Sequence, residues 1–137
     1  TQEEKDLLLK DLCARLPYGV KVHAKYTDLG ETIEVDGIIK MVDTDGFVGI
    51  EVMYDTSSSF ICADIDDAKP YLFPLSSMTA EQREEYHNLC SIGTDEYGDI
   101  IYFDTYESID YLYKIHVDVR NLIPKGRAID ATNLNIY

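Results

Sequence analysis

The residues with the clearest potential for chemistry alternate along one stretch near the end of a predicted helix. They are His116, Asp118 and Arg120, and alternate side chains of an extended backbone project to the same side. A histidine beside a carboxylate can serve as an acid–base pair, which supports the hypothesis of a hydrolase or a small-ligand site. We favour a structural interpretation, in which Asp118 and Arg120 pair and fix the chain as it leaves the helix.

Two shorter patterns are typical of metal ligands, and we interpret neither as a metal site. His87 and Cys90 lie three residues apart on a predicted helix, but no second pair follows at metal-binding spacing. Residues 43–46, DTDG, begin like a calcium loop, yet the apolar residues after them favour a hairpin turn. The sequence also lacks nucleophile-elbow, zincin, phosphate-loop and dinucleotide motifs. We therefore predict no metal, no cofactor and no catalytic residue.

Two groups of side chains are candidates for binding a partner. Asp64, Asp66 and Asp67 form an acidic cluster in a predicted loop, for which a solvated loop is the simpler interpretation. The chain also has 11 tyrosines and no tryptophan, and tyrosine suits interfaces because its ring is apolar and its hydroxyl is polar. Tyr111, if it faces outward from its helix among acidic neighbours, is the candidate anchor of such an interface.

The charge balance bears on the class of partner. The chain carries 26 acidic and 12 basic residues, for a net charge of −14. Contacts to nucleic-acid phosphates need lysine and arginine, so we predict no direct nucleic-acid binding. Two interpretations stay open: the acidic surface only keeps the protein in solution, or it competes for a basic partner protein.

The sequence carries no sign of a membrane or secretory segment. No apolar run reaches the roughly 18 residues that a membrane-spanning helix needs. The stretch TQEEKDLLLKDL is acidic and has neither the basic start nor the cleavage site of a signal peptide. Cys13, Cys62 and Cys90 are odd in number and far apart, which favours reduced thiols. We expect a cytoplasmic protein, and its oligomeric state stays open.

The first predicted element is a helix. Thr1 and Glu4 have the spacing of a capping box, in which each side chain accepts a backbone N–H of the other residue. Leu8, Leu12 and Cys13 belong to an apolar stripe at helical spacing, which predicts that all three lie in the core. The proline at position 17 is expected to end this helix.

Period-two alternation and turn residues predict a meander of strands after the first helix. We expect a bend at Asp36–Gly37, because a glycine inside a strand often marks a bulge. Asp45–Gly46, between two apolar runs, is the strongest hairpin signal in the chain. The predicted strands span residues 20–26, 32–42, 47–54 and 60–63, with a polar loop at 56–59.

Residues 69–86 are interpreted as the hinge between the sheet and a helical cover. Pro70 and Pro74 lack a backbone N–H, so we predict that both lie on an edge strand or outside regular pairing. Thr79 and Gln82 have capping-box spacing at the start of a second helix. The remaining predicted elements are a helix at 79–89, a strand at 99–103 and a helix at 106–117 that is capped by Asp104–Thr105. In the last helix five residues recur at helical spacing: Tyr106, Ile109, Leu112, Tyr113 and His116. The tail at 128–137 would dock as a terminal strand through Leu134, Ile136 and Tyr137.

Together these elements predict an α+β fold in one domain, residues 1–137. Residues 1–78 form the N-terminal helix and the sheet, and residues 79–137 form a mainly helical cover with the terminal strand. The sheet is predicted to be antiparallel and curled, with about five strands, packed by the N-terminal helix and the two later helices. Short, bent strands in this order are analogous to an SH3-like small barrel.

Two segments resemble a known group of proteins. KPYLFPLSSMTAEQREEY, at 69–86, and TYESIDYLYKIHVDVRNLIPKGRAIDA, at 105–131, resemble small uncharacterised acidic proteins that are common in phages and mobile elements of gut bacteria. Phe73, Val119 and Asn121 depart from that pattern, in which Arg, Tyr and Gly are more usual. The resemblance implies a phage or prophage accessory protein, and it supplies no activity.

These observations lead to two hypotheses of function. The first is a non-enzymatic accessory protein that binds a partner protein through an acidic, tyrosine-rich surface. The alternative is a small-ligand-binding protein or hydrolase that uses the region of His116, Asp118 and Arg120.

Overall fold

The computed structural model describes residues 1–54 and 57–137, and the side chains of all of these except 53, 54, 57 and 58. It begins with α1, Gln2–Arg15, whose predicted capping box is confirmed: the Thr1 hydroxyl accepts the Glu4 N–H at 3.2 Å. None of the described helices is long and apolar enough to cross a bilayer.

The inward face of α1 differs from the predicted stripe. Leu8 and Leu12 are buried as expected, but Cys13 is exposed, so its predicted place in the core is wrong. Asp11 and Arg15 take the inward positions beside the two leucines. Because successive residues turn by about 100° around a helix, a face that holds positions 8, 11, 12 and 15 directs position 13 outward.

Six of the described strands form the main sheet: Lys21–Asp28 (β1), Glu31–Val42 (β2), Phe47–Tyr54 (β3), Ser57–Asp64 (β4), Ala68–Leu72 (β5) and Ile129–Asp130 (β8). Their order across the sheet is β4-β3-β2-β1-β5-β8. The described residues therefore form an α+β fold with three α-helices, as predicted, but the sheet is mixed and not purely antiparallel, because β8 pairs with β5 in parallel. The sheet keeps two edges, so the SH3-like barrel is not confirmed.

The turn between β2 and β3 confirms the predicted hairpin. The Asp43 carboxylate accepts the Asp45 N–H at 2.7 Å, and Gly46 has a positive φ of 92°. The register shift in β2 lies between Ile39 and Met41, a few residues after the bend predicted at Asp36–Gly37. Gly37 instead permits a close approach by β3, because a Cβ there would lie 2.6 Å from the Glu51 carbonyl oxygen.

Two predictions about the rest of the sheet need correction. Residues 57–59, expected in a loop, belong to β4, and Thr56 lies outside the described residues. The strand in the C-terminal tail is Ile129–Asp130, earlier than Leu134, Ile136 and Tyr137, which we expected to dock as a terminal strand. Tyr137 does dock, but through its side chain, whose hydroxyl donates to the Tyr71 carbonyl at 2.9 Å. A strand of two residues carries almost no periodic signal, which is why alternation does not reveal it.

The two prolines of the hinge differ in their surroundings. Pro74 lies outside the strands, as predicted. Pro70 lies within β5 and faces Val22 of β1, while the pairing of β5 with β8 starts one residue later, at Tyr71. β5 is not an edge strand, so the prediction is confirmed for Pro74 alone.

The second half of the chain contains a hairpin that the sequence only partly indicates. The hairpin consists of β6, Ser91–Thr94, and β7, Ile100–Phe103, which pair with each other and with no other described strand. Only β7 was predicted. The hairpin joins two helices: α2, Ala80–Leu89, and α3, Tyr106–Lys114, and the predicted caps of both, Thr79 and Thr105, are confirmed.

The hydrophobic core lies between α1 and the sheet, and Leu122 and Ala128 from the C-terminal part also reach it. Val20, Val22 and Ala24 are fully buried, which confirms the alternation predicted for β1. The other buried members are Leu8, Leu12, Ile39, Val48, Ile50, Val52, Ala63, Ile65, Ala68 and Leu72.

Candidate functional site

The structure separates the three residues whose alternation suggested an acid–base site. α3 ends earlier than predicted because His116 adopts a left-handed conformation, with φ of 64°. The Val117 N–H donates to the Leu112 carbonyl at 2.9 Å and the His116 N–H to the Tyr113 carbonyl at 3.0 Å. These bonds form a Schellman motif, in which the left-handed residue stops the helix. The predicted trio required an extended backbone at His116. The backbone there is left-handed instead.

Asp118 and Arg120 also find separate partners. The Asp118 carboxylate is buried and accepts the N–H groups of Leu122 and Ile123, each at 2.9 Å. The Arg120 guanidinium donates to the Tyr113 hydroxyl at 3.2 Å and lies 3.6 Å from the Asp11 carboxylate. Both residues hold the chain after α3, but through these contacts and not through the expected pair with each other.

A buried ion pair on α1 lies beneath this region. Arg15 and Asp11 are fully buried, and the Arg15 Nε donates to Asp11 Oδ2 at 2.6 Å. Arg15 also donates to the Val117 carbonyl at 2.6 Å and lies over the Tyr113 ring. Burial raises the pKa of Asp11, while Arg15 and Arg120 oppose that rise. The sequence contained a signal for this buried pair, namely an acidic and a basic residue at positions i and i+4 on the apolar face of the first helix.

His116 is held as a neutral ring in this environment. It stacks on Tyr137 with ring centroids 3.8 Å apart, and its Nδ1 has no hydrogen-bond partner among the described residues. Burial, together with the nearby charges of Arg15 and Lys21, lowers the pKa of His116 to about 4. A histidine with so low a pKa is a weak base at neutral pH, and its ring face is covered, so its evident role is packing.

The acidic cluster of Asp64, Asp66 and Asp67 is partly neutralised. Asp66 lies 2.7 Å from the Lys5 ammonium and 2.8 Å from the Arg127 guanidinium, and the hydrogen bonds to these two groups lower its pKa. Asp64 accepts the Asp66 N–H at 2.9 Å and caps a turn of 3-10 helix. This loop therefore joins α1 to the C-terminal part of the chain as well as carrying charge.

The tyrosines of α3 differ in exposure. Tyr111 is half-buried, and burial, with a contribution from Glu85 of α2, raises its pKa. Tyr106 shares the helical spacing of the buried Leu112 and Tyr113, but it is 95% exposed and does not lie on the inward face. Tyr106 is the first residue of α3, where the chain still leaves the hairpin, so helical periodicity does not determine its direction.

The hairpin β6–β7 exposes an unusual set of apolar side chains, which we call the hairpin surface. Antiparallel register pairs Ile92 with Tyr102 and Thr94 with Ile100, which places these side chains on one face. The His87 ring stacks on Tyr102 with centroids 4.0 Å apart and supports that face from α2. On the other face Phe103 lies over Gly93. The exposed members, from 43% for Tyr102 to 95% for Tyr106, are Ile92, Tyr97, Ile100, Tyr102, Phe103 and Tyr106.

The segment that carries the hairpin surface is rich in carboxylates. Residues 84–113 contain no lysine or arginine. Two of the carboxylates are held in place from neighbouring elements: Asp104 accepts the Tyr86 hydroxyl, and Asp110 accepts the Tyr18 hydroxyl at 2.5 Å. The acidic residues of this segment are Glu84, Glu85, Asp95, Glu96, Asp99, Asp104, Glu107 and Asp110.

A shallow, open groove lies between α1 and α3 and has a volume of about 850 Å³. Ala14, Ile109 and Tyr113 supply its apolar part. Its remaining lining residues, three of which are carboxylates, lie between the end of β7 and the middle of α3: Asp104, Thr105, Tyr106, Glu107 and Asp110. The groove shares Tyr106 with the hairpin surface.

The described residues contain no group of three or more histidine, cysteine, aspartate or glutamate side chains placed to hold a metal ion. His87 contacts the Tyr102 and Tyr86 rings. The prediction that the protein carries no metal stays a prediction, which elemental analysis of protein purified without added metal would check.

Sequence reasoning missed the hairpin surface because β6, the strand that pairs with β7, is short and rich in small and polar residues. The exposed pairs across a hairpin become visible only once its register is known. Comparisons of the chain with protein-family models, with curated proteins and with solved structures found no match.

Proposed function

We propose that this chain is a non-enzymatic, cytoplasmic accessory protein that binds a partner protein through the hairpin surface. The observation that carries the proposal is the exposure of aromatic and branched side chains on both faces of a two-stranded hairpin. Part of one face is covered by α2, where His87 stacks on Tyr102, and the remaining apolar side chains of the hairpin are exposed. Contiguous exposed apolar groups with a polar border are characteristic of protein interaction sites.

The chemistry of the border indicates the partner. The segment that carries the hairpin surface, residues 84–113, has eight carboxylates and no lysine or arginine, so the complementary protein surface carries basic residues beside an apolar centre. The likeness to proteins of phages and mobile elements supports an accessory role that acts on a host protein. The region of His116, Asp118 and Arg120 is not part of the proposal, because each of these side chains has a packing or hydrogen-bonding role.

A matched pair of variants tests this proposal. Ile100→Glu places a charge in the centre of the hairpin surface, and Leu29→Glu makes the same change in the β1–β2 turn, where Leu29 is 97% exposed. Proteins captured by the wild type from the native host's lysate would be identified, purified and measured against both variants. We expect Ile100→Glu to weaken binding about tenfold or more and Leu29→Glu to leave it unchanged.

The charge complementarity is tested in the same measurement by varying the salt concentration. Association steered by the acidic border should slow as salt rises, because exposed charges are screened over about 10 Å at 0.1 M salt. Equal binding by the two variants, with normal thermal unfolding of both, would show that the partner does not use the hairpin surface.

A further inference from the structure

We infer that the groove between α1 and α3 receives a basic amphipathic helix of the partner protein. This inference rests on the proposed function and names the form of the partner. The groove has an apolar part made by Ala14, Ile109 and Tyr113, and the carboxylates of Asp104, Glu107 and Asp110 also line it. An apolar floor with charges along one wall fits a helix that has one apolar face and a basic border.

The walls of the groove favour a helix over an extended segment. Ala14 belongs to α1 and Ile109 to α3, and the backbone groups within a helix are already paired inside it. An extended peptide would find few backbone donors or acceptors there and would leave its own unpaired, which is costly once water is excluded. A helix satisfies its own backbone and needs only side-chain contacts. A volume of about 850 Å³ is sufficient for several side chains.

The carboxylates of the groove favour lysine or arginine on the incoming helix. Asp104 and Asp110 are oriented by the hydroxyls of Tyr86 and Tyr18, and ionised carboxylates only accept hydrogen bonds, so a cationic donor complements them. The exposed ring of Tyr106 offers a face for the same cation. A second copy of this chain is a poor occupant, since each copy carries a net charge of −14.

Synthetic peptides test the inference without knowledge of the natural partner. The probe is an 18-residue leucine–lysine peptide with leucines at helical spacing, a length at roughly which isolated helices become stable. Its control has the same composition in an order without that spacing. Fluorescence anisotropy would measure the Kd of both peptides. Both peptides carry the same charge, so a difference between their Kd values reports the helical spacing of the leucines. We expect the periodic peptide to bind about tenfold more tightly than the control.

Two protein variants locate the binding. Ala14→Phe fills the groove, and Cys13→Phe adds the same ring at a neighbouring exposed position of α1 that does not line it. Glu107→Lys reverses a charge on the wall, and Glu31→Lys makes the same change in β2. We expect Ala14→Phe and Glu107→Lys each to weaken the periodic peptide about five- to tenfold, and both controls to bind as the wild type does. Thermal unfolding confirms that each variant is folded.

The outcomes separate this inference from the proposed function. Equal binding of the two peptides, or no effect of Ala14→Phe in a folded protein, overturns the groove as a helix site. If the captured partner nevertheless loses affinity with Ile100→Glu, the hairpin surface remains its binding site while the groove does not. If Ala14→Phe weakens the peptide and Ile100→Glu leaves the captured partner unaffected, the groove inference holds and the hairpin proposal fails.

Discussion

At the scale of single residues, the Asp11–Arg15 pair shows how strongly one buried charge constrains its surroundings. Both side chains are inaccessible to water, and Arg15 also binds the Val117 carbonyl. Removing charges from water is costly, and their mutual attraction offsets the cost only while both partners are present. The pair therefore fixes the contact between α1 and the segment after α3 without adding much net stability.

Arg15→Met should destabilise the protein by about 3–5 kcal/mol, because it leaves the Asp11 carboxylate buried without its main counter-charge. The double variant Asp11→Leu with Arg15→Met should recover most of this loss. Urea unfolding of the wild type and both variants would measure the free energy of unfolding. A double variant as unstable as the single one would contradict this account of the pair.

The second prediction concerns His116, whose pKa in the folded protein is about 4, below its usual 6.5. Between these values the unfolded chain binds the proton more readily than the folded one, so the stability that neutral His116 confers is complete above pH 6.5. It is lost as the pH falls towards 4. His116→Asn cannot take up the proton, and asparagine tolerates the left-handed backbone at this position.

On going from pH 7 to pH 4.5 the free energy of unfolding of the wild type should fall by about 1–2 kcal/mol more than that of His116→Asn. This range is smaller than the full pKa shift would give, because the His116 ring is partly exposed and solvent screens its interactions. Denaturant unfolding at several pH values would measure the difference. An NMR titration that placed the pKa of His116 near 6.5 would rule out this mechanism.

At the scale of elements, the pairing of β2 with β3 includes one unusually close approach. A Cβ at Gly37 would lie 2.5 Å from Ile50 Cγ2 and 2.6 Å from the Glu51 carbonyl oxygen. The backbone oxygen cannot move away without breaking the strand pairing on that side. Glycine is needed here for space and not for an unusual φ.

Gly37→Ala should therefore destabilise the protein by about 2 kcal/mol or more, as overpacking against backbone does. Lys40→Ala, at an exposed position of the same strand, should change the free energy of unfolding by less than about 0.5 kcal/mol. Thermal unfolding of both variants would check the difference. A Gly37→Ala protein as stable as the wild type would mean that β3 can withdraw from β2 at this point.

At the scale of the whole molecule, the excess of negative charge opposes compaction. A net charge of −14 in a chain of 137 residues means that like charges repel across most of the surface. Ion pairs such as Lys5–Asp66 and Arg127–Asp66 offset this repulsion only locally, because they are partly exposed.

Salt should therefore raise the Tm, by about 3 °C between 0.01 and 0.15 M NaCl, because screening reduces the repulsion more than it weakens a few surface pairs. Differential scanning calorimetry in NaCl and in choline chloride would measure the change and separate screening from specific effects of the cation. A Tm that falls with salt in both would show that the surface ion pairs outweigh the general repulsion.

Features that depend on neighbouring residues were predictable from the sequence. The caps at Thr1, Thr79 and Thr105 and the turn at Asp45–Gly46 are formed within four or five residues, so their hydrogen bonds follow from local residue types. The alternation in β1 likewise predicted its buried face, because Val22 and Ala24 on one side of that strand pack in the core.

The candidate site was decided by contacts between residues distant in sequence. A left-handed residue at His116 redirects the chain and disperses the trio, and its stacking partner, Tyr137, lies 21 residues further on. The parallel pairing of β8 joins residues nearly 60 positions apart. The hairpin surface exists because β6–β7 pairs with itself and finds no place in the main sheet. Composition and periodicity record which side chains are apolar, whereas only the tertiary structure decides which of them are left uncovered.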